Sequence, residues 1–488
     1  MLFNSLFFIF VFLPLSLVGF FLIGSRGHHR VATAWLVACS LFFYGWWNPA
    51  YLGLILVSML FNYAMGVQLS MRAFSLLKKK LLLAFAVSSN LALLGYYKYA
   101  NFFVDNLNLF LDTGFTLEKI ILPLAISFFT FQQIAYVVDA YKGETREYNF
   151  LHYCLFVTFF PQLIAGPIVH HREMMPQFAK DETYRFNARS FVFGITIFSI
   201  GLFKKVVLAD DIAGYVNPVF SLAEQLTPIS TVDAWVATLG YSLQLYFDFS
   251  GYADMAIGIG LMFGVLLPNN FNSPFLSINI NDFWRRWHIT LGRFFREYLY
   301  IPLGGSRKGF LVTQLNIFIV MLLSGLWHGA GWTFVFWGVL HGLAMVINGV
   351  WRQFRVSACR HDLTQSTFVG RLLSILITFV FVVLAFVYFR AETITGANHI
   401  LARLFSETIW SEIQAVYSSG YNNALSRIAF LMAIVFLIPN VARIYVAKCR
   451  LSDPSMIHAI FSSLLFACSL YVLLYKANVI HEFLYFNF

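Results

Sequence analysis

The chain has 488 residues, of which 59% are hydrophobic and 11% charged. A soluble domain carries about 25% charged residues, and apolar runs of the roughly 20 residues that a spanning helix needs recur along the whole length. This composition excludes a soluble domain with a membrane tail and predicts a single all-α, polytopic membrane domain over residues 1–488. The formal net charge of +10 sits in short loops between apolar runs, which points to control of topology and away from nucleic-acid binding.

In chain order, candidate spans cover 2–23, 31–47, 50–69, 81–97, 117–137, 150–168, 190–209, 234–247, 253–267, 311–327, 331–350, 369–389, 424–446 and 457–475. Several are too short or too polar to cross fully, so about eleven transmembrane helices are expected, with re-entrant and interfacial pieces besides. The first run, Leu2 to Ile23, lacks a basic start and a small-residue cleavage site and reads as a retained span. Arg26 and Arg30 follow it, and Arg72 with Lys78, Lys79 and Lys80 follows the third span. Both loops are expected to be cytoplasmic, with the N-terminus outside and the Trp46–Trp47–Asn48–Pro49 turn facing outward. Cys39, Cys154, Cys359, Cys449 and Cys468 are scattered without a CxxC pair, so neither a metal site nor a disulfide framework is expected.

Polar residues inside apolar segments are costly and suggest function. The first group, Ile126 to Gln133, is a stripe of Ser127, Thr130, Gln132 and Gln133 that also serves as glue between helices. The stretches 169–189 and 351–368 read as surface loops. Between Gln244 and Met255 lie Asp248, Ser250 and Asp254, with Gly251 as a point of close approach or a break in the helix. The two aspartates are candidates for orienting a histidine or capping a broken helix, ahead of binding a cation. From Asp282 to Tyr300 the spacing predicts one interfacial amphipathic helix. Trp284, Trp287, Leu291, Phe294, Phe295 and Tyr298 fall within a roughly 100° arc, and Arg285, Arg286, Arg293, Arg296 and Glu297 fall opposite, with His288 at the edge. Finally, glycines and tryptophans bracket His328 in Leu323–Trp332, a setting that suits an imidazole presented into a cavity. Such a ring can take a proton from a hydroxyl near neutral pH.

These segments resemble the membrane-bound O-acyltransferase (MBOAT) superfamily, and in particular its bacterial, alginate O-acetyltransferase-like branch. The resemblance rests on FFPQLIAGPI (159–168), YFDFSGYADMAIGIGLMFG (246–264), NFNSPFLS (270–277), FWRRWHITLGRFFREYLYIPLGG (283–305) and LSGLWHGAGWTFVFWGVLHG (323–342). It extends to the FLPLSL, YGWW and terminal FLYFNF elements, and so to essentially the whole chain.

The resemblance implies the MBOAT fold, a helical barrel around a tunnel through the bilayer, with His328 as the catalytic histidine and His288 as the second signature residue. It implies acyl transfer from a thioester donor on the cytoplasmic face, acetyl-CoA in this branch, with no permanently bound cofactor. The acetyl group is then passed across a bacterial inner membrane, with a periplasmic SGNH-hydrolase-like partner, to an extracellular glycan such as alginate, another exopolysaccharide or peptidoglycan. In this scheme His328 is the base and His288 positions the donor or polarises its carbonyl. Arg285, Arg286, Arg293 and Arg296, with Trp327, are candidates for holding the donor, although headgroup contact explains the arginines equally well. Asp248, Ser250, Asp254 and Asn270 are candidates for support. One alternative is D-alanyl or other acyl transfer from a carrier protein to a cell-envelope polymer. Another is a transporter or channel, against which stand the lack of an inverted repeat and of regularly spaced intramembrane charges.

Overall fold

The computed structural model describes residues 1–71, 74–145, 149–357, 367–406, 422–451, 453–475 and 483–484. Arg72, Cys359 and Phe488, which enter the sequence reading, lie outside the described residues. Among the described residues every regular element is helical.

The helix Thr231–Met262 is the centre of the architecture. It opens on a capping box in which the Asp233 N–H donates to Ser230 Oγ at 3.0 Å and the Ser230 N–H donates to the Asp233 carboxylate at 3.1 Å. Its apolar and small residues run round the whole circumference, so it is buried along nearly its entire length. Gly251 does not break it. The helix Ala188–Phe203 runs alongside, and the glycines form the seam between the two. A Cβ on Gly251 would lie 2.7 Å from the Gly201 carbonyl oxygen, and one on Gly258 would lie 2.6 Å from that of Gly194. Small residues let the two backbones touch. Gly258→Leu is therefore expected to destabilise the protein by about 1–3 kcal/mol, because backbone atoms cannot step aside for the new side chain. Thermal unfolding in lipid nanodiscs should start at a lower temperature, and an unchanged transition would show that the helices are not held this close.

Seven described helices are long and apolar enough to cross a bilayer: Ala50–Ser70, Leu76–Leu111, Ala188–Glu224, Phe310–His328, Trp332–Ser357, Phe368–Arg390 and Met456–Tyr475. Where the expected spans differ, local chemistry gives the reason. The expected 81–97 and 190–209 are only the apolar parts of longer helices, each carried on through a π turn, Gly95–Tyr99 and Lys204–Ala209 respectively. The expected 117–137 is helical only from Ile126. The expected 150–168 is interrupted at Phe159, just ahead of Pro161, between Phe150–Thr158 and the short turn Phe160–Leu163. The expected 424–446 divides into Asn422–Leu437 and Val441–Leu451 around Pro439.

The stretch 169–189 is not a plain surface loop. His170 and Tyr184 are buried, and the Tyr184 hydroxyl donates to the Phe178 carbonyl at 3.0 Å. The 126–133 stripe is buried as well, and Gln133 acts as glue. Its amide donates to Ser58 Oγ at 3.1 Å and accepts from Asn62 at 2.9 Å and from the Tyr153 hydroxyl at 3.2 Å.

Candidate active site

The expected helix over 282–300 is broken in the middle. Ile280–Arg286 and Ile289–Phe295 are separate short helices, and a π turn, Arg296–Tyr300, follows. At the break His288 adopts φ +43°, a left-handed conformation that non-glycine residues seldom hold. Such strain persists only when the surroundings fix it, and here Asn270 does so. Its side-chain oxygen accepts from the Thr290 N–H at 3.2 Å and from the Thr290 hydroxyl at 2.9 Å, and it lies 3.1 Å from His288 Nδ1. The Ile289 N–H adds a bond to the Asn270 carbonyl at 3.0 Å. The aromatic face of this segment does not dip into lipid. Trp287, Leu291, Phe294 and Phe295 are buried against the protein.

This geometry sets the His288 tautomer. The Thr290 N–H is an unambiguous donor, so the atom it meets is the amide oxygen, and His288 Nδ1 must carry its proton towards that oxygen. Burial pushes the imidazole down to about 3, so the ring is neutral at physiological pH. Its Nε2 then offers a lone pair and no proton, which argues against His288 polarising a carbonyl and suits it to holding a hydroxyl.

Asn270→Ala is expected to cost about 1–3 kcal/mol, since it strands buried donors, and to reduce transfer by releasing the tautomer. Asn270→Asp keeps the acceptor and adds a charge that favours imidazolium, which raises the His288 pKa. Between the ordinary value of 6.5 and about 3, the unfolded chain binds a proton at position 288 that the folded protein does not. Wild-type stability therefore falls as pH drops through that window. The fall should be shallower in Asn270→Asp, and melting curves from pH 7 to pH 4 would check it.

His328 ends the Phe310–His328 helix, because Gly329 turns to extended backbone. A Cβ on Gly329 would collide with the Phe334 ring, which would have to move to admit any other residue. The His328 side chain is buried, with ring centroids 4.8 Å from Trp327, 5.3 Å from Trp337 and 5.1 Å from Phe389. Trp327 also lies 6.3 Å from His288, so the indole stands beside both imidazoles. Another buried histidine, His341, packs 4.6 Å from Trp337 and accepts from Trp284 Nε1 at its Nδ1 (3.3 Å). A neutral His341 therefore carries its proton on Nε2.

Sequence reasoning assigned no role to His341, although it stands in the last quoted segment, nor to Lys98 and Tyr99. From the π turn Gly95–Tyr99 the Lys98 ammonium donates to the Trp327 carbonyl and, at 3.2 Å, to the His328 carbonyl, while the Tyr99 hydroxyl donates to the Leu326 carbonyl at 2.8 Å. The signal available was a lysine inside an apolar span.

Four buried atoms around the imidazoles, Trp327 Nε1, Trp337 Nε1, His341 Nε2 and Asn270 Nδ2, lack a hydrogen-bond partner among the described residues. All four are N–H donors once the His341 tautomer is set. Buried donors without acceptors are costly, and a ligand that brings acceptor oxygens would satisfy them.

Other expected residues lie elsewhere. Asp248 binds Lys205 at 2.6 Å and Asp254 binds Lys204 at 2.6 Å, so neither orients a histidine, and the helix they stand on is unbroken. Ser250 is buried on the same helix. Arg286 is held by Asp282 at 3.0 Å, and Arg293 grips Glu173, with one bond at 2.9 Å. Arg285 and Arg296 remain exposed.

Two buried imidazoles, His288 and His328, thus stand beside Trp327 inside a domain of membrane-length helices. The chain belongs to the membrane-bound O-acyltransferase family, whose profile matches residues 41–390 and takes in both histidine segments. It is 46% identical over 427 residues to a peptidoglycan O-acetyltransferase of Helicobacter pylori, covering 82% of this chain and 79% of that one. It is 39% identical over 443 residues to a probable alginate O-acetylase AlgI of Pseudomonas aeruginosa, covering 89% and 81%. With a teichoic acid D-alanyltransferase of Bacillus subtilis the identity is 30% over 279 residues, 55% of this chain and 69% of the other.

Proposed function

We propose that this membrane-bound O-acyltransferase takes an acetyl group from acetyl-CoA at the cytoplasmic face of a bacterial inner membrane and passes it through the protein towards O-acetylation of an extracellular polysaccharide. The observation that carries this reading is the set of four N–H donors around His288 and His328. A tetrahedral intermediate needs donors aimed at its developing oxyanion. It also needs a base for the attacking hydroxyl, the role of His328. The hydroxyl oxygen bonds to the acyl carbon, its proton passes to His328, and the carbon–sulfur bond breaks. The thiolate leaves and takes up the proton. The exposed Arg285 and Arg296 supply charge for the donor's phosphates. The hydroxyl belongs to the glycan or to an SGNH-hydrolase-like partner outside the membrane. The extent of likeness to the Helicobacter relative favours peptidoglycan as the acceptor.

The second reading, D-alanyl transfer from a carrier protein, is supported by the likeness to the Bacillus relative, which covers 55% of the chain. Donor competition in nanodiscs separates the two. Release of coenzyme A from acetyl-CoA without a carrier protein, dependent on an added acceptor, is the expected result. Turnover only with a carrier-protein thioester would overturn the acetyl reading.

A further inference from the structure

We infer that Lys98 and Tyr99 are positioning residues for the reaction, a two-residue clamp that holds the backbone of His328 from a neighbouring helix. The inference rests on the reading of His328 as the base.

A helix ends with carbonyls that have no intrahelical donor. The Phe310–His328 helix ends abruptly, since Gly329 is extended and returns only a long bond, 3.4 Å, to the Gly325 carbonyl. The next three carbonyls, Leu326, Trp327 and His328, are met one after another by Tyr99 and Lys98. The partners are 227 to 230 residues apart in sequence, so this is a tertiary contact and not a local cap. Lys98 also reaches Ser127 Oγ at 3.5 Å, on the helix Ile126–Lys142 that carries Phe128 and Phe131 against Trp327. Among the described residues Lys98 pairs with no carboxylate. A half-buried ammonium without an anion is explained by what it does meet, the partial negative charge of a helix C-terminus. The π turn brings this about, since the wider turn presents Lys98 and Tyr99 together to one target. The clamp fixes the last turn of the helix, and through it the origin of the His328 side chain, without touching substrate.

Such a residue changes the rate and not the affinity for the donor. Misplacement by about 1 Å can cost up to roughly 100-fold. Lys98→Met is expected to lower kcat by about 10- to 100-fold, with KM for acetyl-CoA changed by less than about threefold. Lys98→Arg, which keeps the charge and can still span two carbonyls, is expected to recover most of the loss. The decisive arm is a double variant. If the clamp acts through His328, Lys98→Met/His328→Gln is no slower than His328→Gln alone. A Lys98→Met enzyme with wild-type kcat, or a loss equally large with and without His328, would overturn the inference. If Lys98→Met does not insert, Tyr99→Phe decides: a lowered kcat at an unchanged melting temperature supports the clamp, and an unchanged kcat overturns it. Should His328→Gln itself turn over like wild type, the reading of His328 as base falls and the clamp falls with it. A slow His328→Gln beside a fully active Lys98→Met removes the clamp alone.

Discussion

His328→Gln should lower kcat/KM for acyl transfer by about 10²- to 10⁴-fold, the usual contribution of a positioned general base. Glutamine keeps a polar side chain of similar length within the cage of Trp327, Trp337 and Phe389, so packing changes little, but it cannot take a proton at neutral pH. The loss should appear in kcat with a nearly unchanged KM for the thioester, because the base acts in the transition state and the donor is held elsewhere. A melting temperature close to wild type in the same nanodiscs would establish that chemistry and not folding was lost. Transfer at the wild-type rate by a correctly inserted His328→Gln protein would falsify the assignment.

Lys205→Met is expected to produce the largest loss of stability, about 3–5 kcal/mol. The Lys205 ammonium is buried between Asp248 Oδ1 at 2.6 Å and Asp210 Oδ1 at 2.8 Å, with all three side chains at most 5% exposed. Methionine fills the same volume without the charge, which leaves two carboxylates facing each other away from water. One of them must then take up a proton, or the region must open. The damage should spread, because Asp248 Oδ2 also accepts from the Leu484 N–H at 3.1 Å and so ties the C-terminal segment to the central helix. Poor recovery from the membrane and an earlier thermal transition are the expected results. Lys205→Met/Asp248→Asn should recover part of the loss, since it removes one of the stranded charges. A single variant that melts with wild type would mean that these ion pairs are spectators.

Much of this arrangement was legible in the sequence. Apolar runs located the Ala50–Ser70, Phe310–His328, Trp332–Ser357, Phe368–Arg390 and Met456–Tyr475 helices to within a few residues, or seven at one end of Trp332–Ser357, because burial in lipid or protein demands the same residues. His288 and His328 were also legible, and the structure brings both against Trp327. The continuous helix through His288 was misread. The 3.6-residue pattern of its aromatics is real on each side of the break, and nothing local to that pattern reveals that Asn270, 18 residues upstream, pulls the chain into a left-handed turn. At Gly251 the sequence left open a close approach or a break in the helix, and the contact with Gly201 shows the close approach. Aspartates 248 and 254 look like site residues until their lysines are known, and those lysines come from another helix, 43 and 50 residues upstream. Lys98 escaped notice because the expected span stopped at residue 97, one short of it, and because backbone carbonyls, its partners, carry no sequence signature.

The π turns have a consequence for how such a protein is altered. Each holds one residue more than an α-helical turn would. Gly95–Tyr99 carries Lys98 and Tyr99, Lys204–Ala209 carries the two lysines of the buried ion pairs, and Arg296–Tyr300 carries Tyr298, whose hydroxyl donates to Asp139 at 2.8 Å. Deleting one residue from any of these turns leaves hydropathy and composition almost untouched. It closes the turn to an ordinary α-helical one, which leaves the flanking helix close to its present register but moves the polar side chains of the turn away from their partners. Three of the polar clusters thus depend on single-residue insertions, two of them inside membrane-length helices, and a hydropathy profile is blind to their loss.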